Sequence, residues 1–135
     1  MKKKTVYVAS RFALKNEVKK IYSELEKIGY SVYGNWTQHK PVKPYKKHPK
    51  LSRDYSVQDI DRARKSDLLV LISDRAGTGM HTELGSAIDH YLEFKKPMIY
   101  VIGKHLSASM FFFHPSIRKR ATIEEVIKEL KILKR

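Results

Sequence analysis

The chain has no cysteine in 135 residues, which excludes disulfides, thiolate zinc sites and a cysteine nucleophile together. Acidic residues are scarce: 14 Asp and Glu stand against 28 Lys and Arg, a formal net charge of +14. Nucleic acid or another polyanion is therefore the first partner to weigh. The excess is clustered at Lys2 to Lys4, in the loop from Lys40 to Lys50 and in the tail from Lys128 to Arg135, and lysines in loops and tails are most often simply solvated. A nucleic-acid contact is expected only through the basic loop. No apolar run reaches the length of a membrane span, and Met1-Lys2-Lys3-Lys4 leads into a strand instead of the apolar core of a signal peptide. A soluble, cytoplasmic protein is expected. Two glycine signatures are also missing, the dinucleotide fingerprint after the first strand and the phosphate loop ending in Gly-Lys-Ser/Thr. Ordinary nicotinamide and P-loop nucleotide chemistry is not expected.

What is present alternates strand with helix over a length that suits one domain, residues 1–135. Thr5 to Ala9 and Tyr30 to Tyr33 read as strands. Between them Leu14, Val18, Ile21, Leu25 and Ile28 recur at helical spacing, with Gly29 at the C-cap. Asp54 suits the cap of a helix to about Lys65, with Val57, Ile60 and Ala63 toward the core. Leu68 to Ile72 is apolar and β-branched enough for a buried parallel strand, and Met98 to Ile102 for another. Met110 to Phe113 reads as a short strand or an apolar loop in an interface. Thr122-x-x-Glu125 is a capping box opening a last helix with Ile123, Val126, Ile127, Leu130 and Leu133 on one side. The alternation predicts a doubly wound α/β, flavodoxin-like parallel sheet of four to five strands with helices on both faces.

The chain is organised around Gly77 to Gly85, read as a glycine loop between a buried strand and a helix over Ser86 to Phe94. Such a loop lies at the carboxyl edge of the sheet, where open α/β folds keep ligands. Gly77 and Gly79 allow backbone to approach a ligand, and Gly85 allows close helix packing. Glu83, placed in the first helical turn, is expected to be ionised at neutral pH by the helix dipole. Upstream, residues 35–53 carry three prolines, no periodicity and the only tryptophan, Trp36. A loop of that length is a lid, with Trp36 and lysines meeting a planar or anionic ligand, or a solvated loop with Trp36 plugging the core. His39 and His48 have no ligand spacing, and no metal is expected.

Several stretches together resemble the nucleoside 2-deoxyribosyltransferases and the related deoxynucleoside 5′-monophosphate N-glycosidases. They are Val6-Tyr7-Val8-Ala9-Ser10-Arg11-Phe12, Asp59-Ile60 followed eight residues after Asp59 by Asp67-Leu68-Leu69-Val70, and Gly79 through Glu83-Leu84-Gly85 with Ala87. Pro97 with its strand and Phe112-Phe113-His114-Pro115 continue the match over most of the chain. The resemblance implies that Glu83 is the nucleophile, that Asp59 assists the departing base and that Tyr7 positions Glu83. It implies further that Ser10 and Arg11 gather a 5′-phosphate, and that Ser107 or Ser109 corresponds to a serine lent by a neighbouring subunit. Met80-His81-Thr82 makes the stretch between Gly79 and Glu83 one residue longer than the tighter form of some members.

Each residue has a plainer reading. Tyr7 suits a core aromatic, Asp59 a solvent-facing helix residue, Arg11 a surface residue, and Asp67 is best taken as a helix-end cap. The expected activity is cleavage of the N-glycosidic bond of a 2′-deoxyribonucleoside or its 5′-monophosphate through a deoxyribosyl–Glu83 intermediate, with transfer to another base or to water and no cofactor. A homodimer or higher homo-oligomer, with sites completed across subunits, goes with it. The alternative is a binding module of the same fold that recognises a nucleotide or polyanion without chemistry. A third possibility is a structural subunit joined through Met110 to Phe113.

Overall fold

The computed structural model describes residues 3–133; Lys2, Lys134 and Arg135, members of the two terminal basic clusters, lie outside the described residues, as does Met1. Five strands form one all-parallel sheet: β1 (Lys4–Ala9), β2 (Tyr30–Val32), β3 (Leu68–Ile72), β4 (Met98–Ile102) and β5 (Ile117–Arg120). Their order is β2-β1-β3-β4-β5. The helices are α1 (Lys15–Lys27), α2 (Pro49–Lys65), α3 (Gly79–Phe94) and α4 (Ile123–Leu133). This is the doubly wound, flavodoxin-like arrangement.

Register decides which side each helix covers. Tyr7 pairs with Leu69 and Leu69 with Ile99, so these three share one face, while Val8, Val70 and Tyr100 share the other. Tyr7 meets α3, which packs against α2; Tyr100 meets Glu129 of α4. Right-handed crossovers put α1 on the α4 side. The core is the continuous apolar run of β1, β3 and β4 sealed by Leu25, Leu84, Val126 and Leu130. Order reverses between β1 and β3, where successive connections leave in opposite directions. The crevice above their carboxyl ends is where such folds bind ligands.

Several expectations fail for local reasons. Helix α2 starts at Pro49, with His48 at the N-cap, and not at Asp54. Proline fits a first helical position because its missing N–H is unused there, so the third proline of the loop opens a helix. Asp54 lies inside that helix, 3.6 Å from Lys50, and Val57 is 64% exposed, while Ala63 is buried. Asp67 does not cap a helix: its carboxylate accepts from the Thr5 N–H at 2.8 Å and pairs with Lys96 at 3.3 Å, tying β1 to the start of β3. A Cβ on Gly85 would meet nothing within 4 Å, so close packing is not its role. Leu133 is exposed, whereas Val126 and Leu130 are buried.

Of the capping box of α4 one half forms, Glu125 N–H donating to Thr122 Oγ1 at 3.3 Å, while the Glu125 carboxylate reaches one residue further back and accepts from Ala121 N–H at 3.0 Å. Strand β5, Ile-Arg-Lys-Arg, carries no apolar alternation. It is an edge strand, where charge protects against pairing with another chain, and Arg120 Nη2 anchors it to Glu129 of α4 at 2.7 Å. Met110–Phe113 is a 3-10 turn that buries Phe112 and leaves Met110, Phe111 and Phe113 exposed.

Candidate active site

Above the carboxyl ends of β1 and β3 lies a cavity of about 1000 Å³ lined by Ser10, Arg11, Trp36, Asp59, Gly77, Gly79 and Glu83. Those seven positions are drawn from β1's exit, the long loop, α2, the loop after β3 and the first turns of α3. Tyr7, wholly buried in β1, reaches the same place from below: its hydroxyl donates to Glu83 Oε2.

Helix α3 begins at Gly79, four residues before Glu83, so Glu83 is the fifth residue of the helix and not in its first turn. The helix dipole acts most strongly in that first turn. Burial dominates instead, pushing the Glu83 carboxyl up to about 8 against the opposing hydrogen bond from Tyr7. The expectation of an ionised Glu83 at neutral pH is thereby overturned. Burial likewise lifts Asp59 to about 6, opposed by the Arg62 guanidinium, and raises Tyr7 well above its ordinary value, with Glu83 adding to it. Tyr7 therefore stays a donor. Two carboxyl groups with staggered pKa values face one cavity, as in acid–base sites, and between about pH 6 and 8 the prevailing form has Asp59 ionised and Glu83 protonated.

The remaining positions divide. Trp36 is buried, its indole N–H donating to Val8 O at 2.6 Å. It is both a core plug and a wall of the cavity. Gly77 has φ of +98°, and a Cβ there would stand 3.0 Å from Arg11 Cγ. At Gly79 a Cβ would meet no protein atom within 4 Å, so that glycine opens onto the cavity. Arg11 Nε donates to Asp74 at 2.6 Å, and Asp74 also accepts from Ala76 N–H at 2.9 Å; Arg11 is thus held at the rim by the loop that carries Gly77. Ser10 Oγ donates to Arg11 O at 2.8 Å.

Ser107 and Ser109 are not in this cavity. Ser107 lines a separate cleft of about 570 Å³ with Arg75, Lys104 and His105, and Ser109 Oγ accepts from Phe111 N–H at 3.2 Å. Sequence reasoning missed Tyr55 and gave His39 no role, while Lys40 and Lys43 belong to the loop one reading made a basic lid; all four line the main cavity. Tyr55 stands four residues before Asp59, on the same helical face, and the helix expected from Asp54 already carried that signal. Among the described residues, no group of three or more His, Asp or Glu side chains is gathered to hold a metal ion, and no helix is long and apolar enough to cross a membrane. No protein-family model matches the chain, and no curated protein matches it.

Proposed function

We propose that the chain cleaves the N-glycosidic bond of 2′-deoxyribonucleosides or their 5′-monophosphates. The observation that carries this is the Tyr7 hydroxyl donating to Glu83 in a cavity that also holds the Asp59 carboxyl. The reacting form has the charge on Glu83 and the proton on Asp59, the minority arrangement of the one proton the pair holds between about pH 6 and 8. In it Glu83 attacks the anomeric carbon as the C–N bonding pair leaves with the base, and Asp59 gives that base a proton. The result is a deoxyribosyl ester on Glu83. Water or a second base then attacks the same carbon, Asp59 takes the proton released, and Glu83 leaves as carboxylate. This is the division of labour of a retaining glycosidase.

Tyr7 holds the nucleophile by a hydrogen bond that favours its charged form. Arg11, at the rim, suits a 5′-phosphate because its fork matches two phosphate oxygens. No metal or organic cofactor enters any of these steps. Ser107 and Ser109 lie outside the chain's own cavity, which fits a serine offered to a neighbouring subunit in a homo-oligomer. The resemblance of the strand, aspartate and glutamate stretches supports the same reading.

The experiment is incubation with each deoxynucleoside and each 5′-monophosphate, with and without a second free base, following base release by chromatography. Base exchange identifies a transferase, and release without acceptor a hydrolase. Release from neither, by folded protein, rejects the proposal in favour of a non-catalytic binding module.

A further inference from the structure

His39 stands against Asp59. Its ring stacks face to face on Tyr55 of α2, with centroids 3.7 Å apart and planes 4° from parallel. Tyr55 and Asp59 share a face of that helix, and His39 Nε2 reaches to 3.8 Å from Asp59 Oδ1. The next residue fixes the loop a second time, Lys40 N–H donating to the Tyr55 hydroxyl at 3.1 Å. Two consecutive loop residues are thereby held on one tyrosine. The His39 and Asp59 side chains keep 16% and 24% exposure respectively, and both line the cavity.

The charge on the ring decides what this contact does. Burial, with Arg62 adding to it, pushes the His39 imidazole below its ordinary value. At neutral pH the ring is uncharged, so it supplies no cation to hold Asp59 ionised. The other groups around Asp59 are Arg62 on its own helix, Tyr7 on β1, Tyr22 on α1, Glu83 on α3, and Arg11, Lys40 and Lys43 around the cavity. Of these, Arg62 draws Asp59 toward ionisation, and burial outweighs it.

We infer that the His39–Tyr55 stack is a positioning device for Asp59, a neutral aromatic wall that keeps water off the carboxyl and so enlarges the fraction of Asp59 that carries the proton the departing base must take. The inference rests on the proposed glycosidic cleavage. His39 itself enters none of the proton transfers: the proton goes from Asp59 to the base, and comes back to Asp59 from the attacking water or incoming base. The loop, open from its sequence to being a lid or a solvated segment, is on this inference a wall of the acid's compartment.

The test titrates Asp59 directly, by NMR of isotope-labelled aspartate carboxyls in the wild type, His39→Ala and His39→Phe, with Asp59→Asn to assign the signal. The pH profile of base release is measured beside it. In His39→Ala the Asp59 titration falls toward the ordinary carboxylate range, the acid limb of kcat/KM moves down with it, and the plateau drops about tenfold for each pH unit of that movement, with KM changing less than kcat. His39→Phe keeps a ring on Tyr55 without a nitrogen, so Asp59 stays near its wild-type position and turnover stays within a few-fold. Asp59 unmoved in His39→Ala overturns the inference. So does a His39→Phe variant that falls as far as His39→Ala, because imidazole chemistry would then be the agent. The NMR arm needs no turnover. A wild type that releases no base defeats the glycosidic reading while the coupling of His39 to Asp59 is still read; normal turnover with Asp59 unmoved defeats the inference alone.

Discussion

The Tyr7 hydroxyl on the first strand donates to the Glu83 carboxyl on the third helix, across 76 positions of chain. Neither residue makes the relationship alone. Tyr7 is directed to the α3 side by strand alternation, and Glu83 is set over it because α3 begins at Gly79. The same burial that fixes the pair pushes the carboxyl to about 8, so the fold holds a group whose charge it disfavours.

On the proposed function Glu83→Gln should lower kcat/KM by about 10³-fold or more, and at the same time it should stabilise the protein. Glu83's folded-state value lies above the ordinary 4.5, so the stability it contributes is complete below that pH and is lost as pH rises through about 8. Glutamine does not titrate. Thermal melts of the two proteins should draw together toward pH 4 and separate toward pH 8, the variant gaining up to about 5 kcal/mol. A variant no more stable at pH 8 than at pH 5, relative to wild type, contradicts the buried-carboxyl account.

Tyr7→Phe removes one donor to the nucleophile and should lower kcat by about 10²-fold with little change in KM. The hydrogen bond opposes the rise of Glu83, so its loss should move the alkaline limb of the pH profile upward. A profile that keeps its alkaline limb while kcat falls would make Tyr7 a packing residue only.

The pH dependence of kcat/KM in the wild type should be a bell with limbs near 6 and 8, belonging to the Asp59–Glu83 pair as coupled groups. Below the first limb both carboxyls are protonated and there is no nucleophile; above the second both are ionised and there is no acid. Between them the pair holds one proton, mostly on Glu83, and the smaller fraction with that proton on Asp59 turns over. Measurement between pH 5 and pH 9 checks it, and a monotonic profile contradicts the two-carboxyl assignment.

Arg11→Ala should raise KM for 5′-monophosphates by about tenfold while leaving unphosphorylated nucleosides within a few-fold, since an arginine–phosphate contact is a charge-assisted hydrogen bond of about 1.5–3 kcal/mol. Parallel kinetics on the two substrate classes read it out. Equal losses on both would show that Arg11 acts through Asp74 and the Gly77 loop instead of through phosphate.

The sheet was legible because β1, β3 and β4 are buried on both faces and so carry uninterrupted apolar runs. β5 was not, because a basic edge strand has no such signal. The positions of Tyr7, Asp59 and Glu83 were legible as separate stretches, and their gathering follows from the sheet order. Glu83's protonation was misjudged for a specific reason: Gly79-Met80-His81-Thr82 looks like loop, yet glycine costs little at a helix's first position, and starting there moves Glu83 beyond the reach of the dipole. His39 was seen but could not be placed. Its neighbour Tyr55 falls inside the helix expected from Asp54, one turn before Asp59, but nothing in the sequence ties His39 to it, and only the folded loop brings ring and carboxyl together.

The central claim is a deoxyribosyl ester on Glu83, and mass spectrometry of acid-quenched protein, taken during turnover and followed by peptide mapping, tests it most directly. The account predicts an added deoxyribosyl mass, on the phosphorylated or unphosphorylated sugar according to substrate, confined to the peptide containing Glu83 and absent from Glu83→Gln. Base release at full rate with no adduct, and with Glu83→Gln still active within a few-fold, would contradict it.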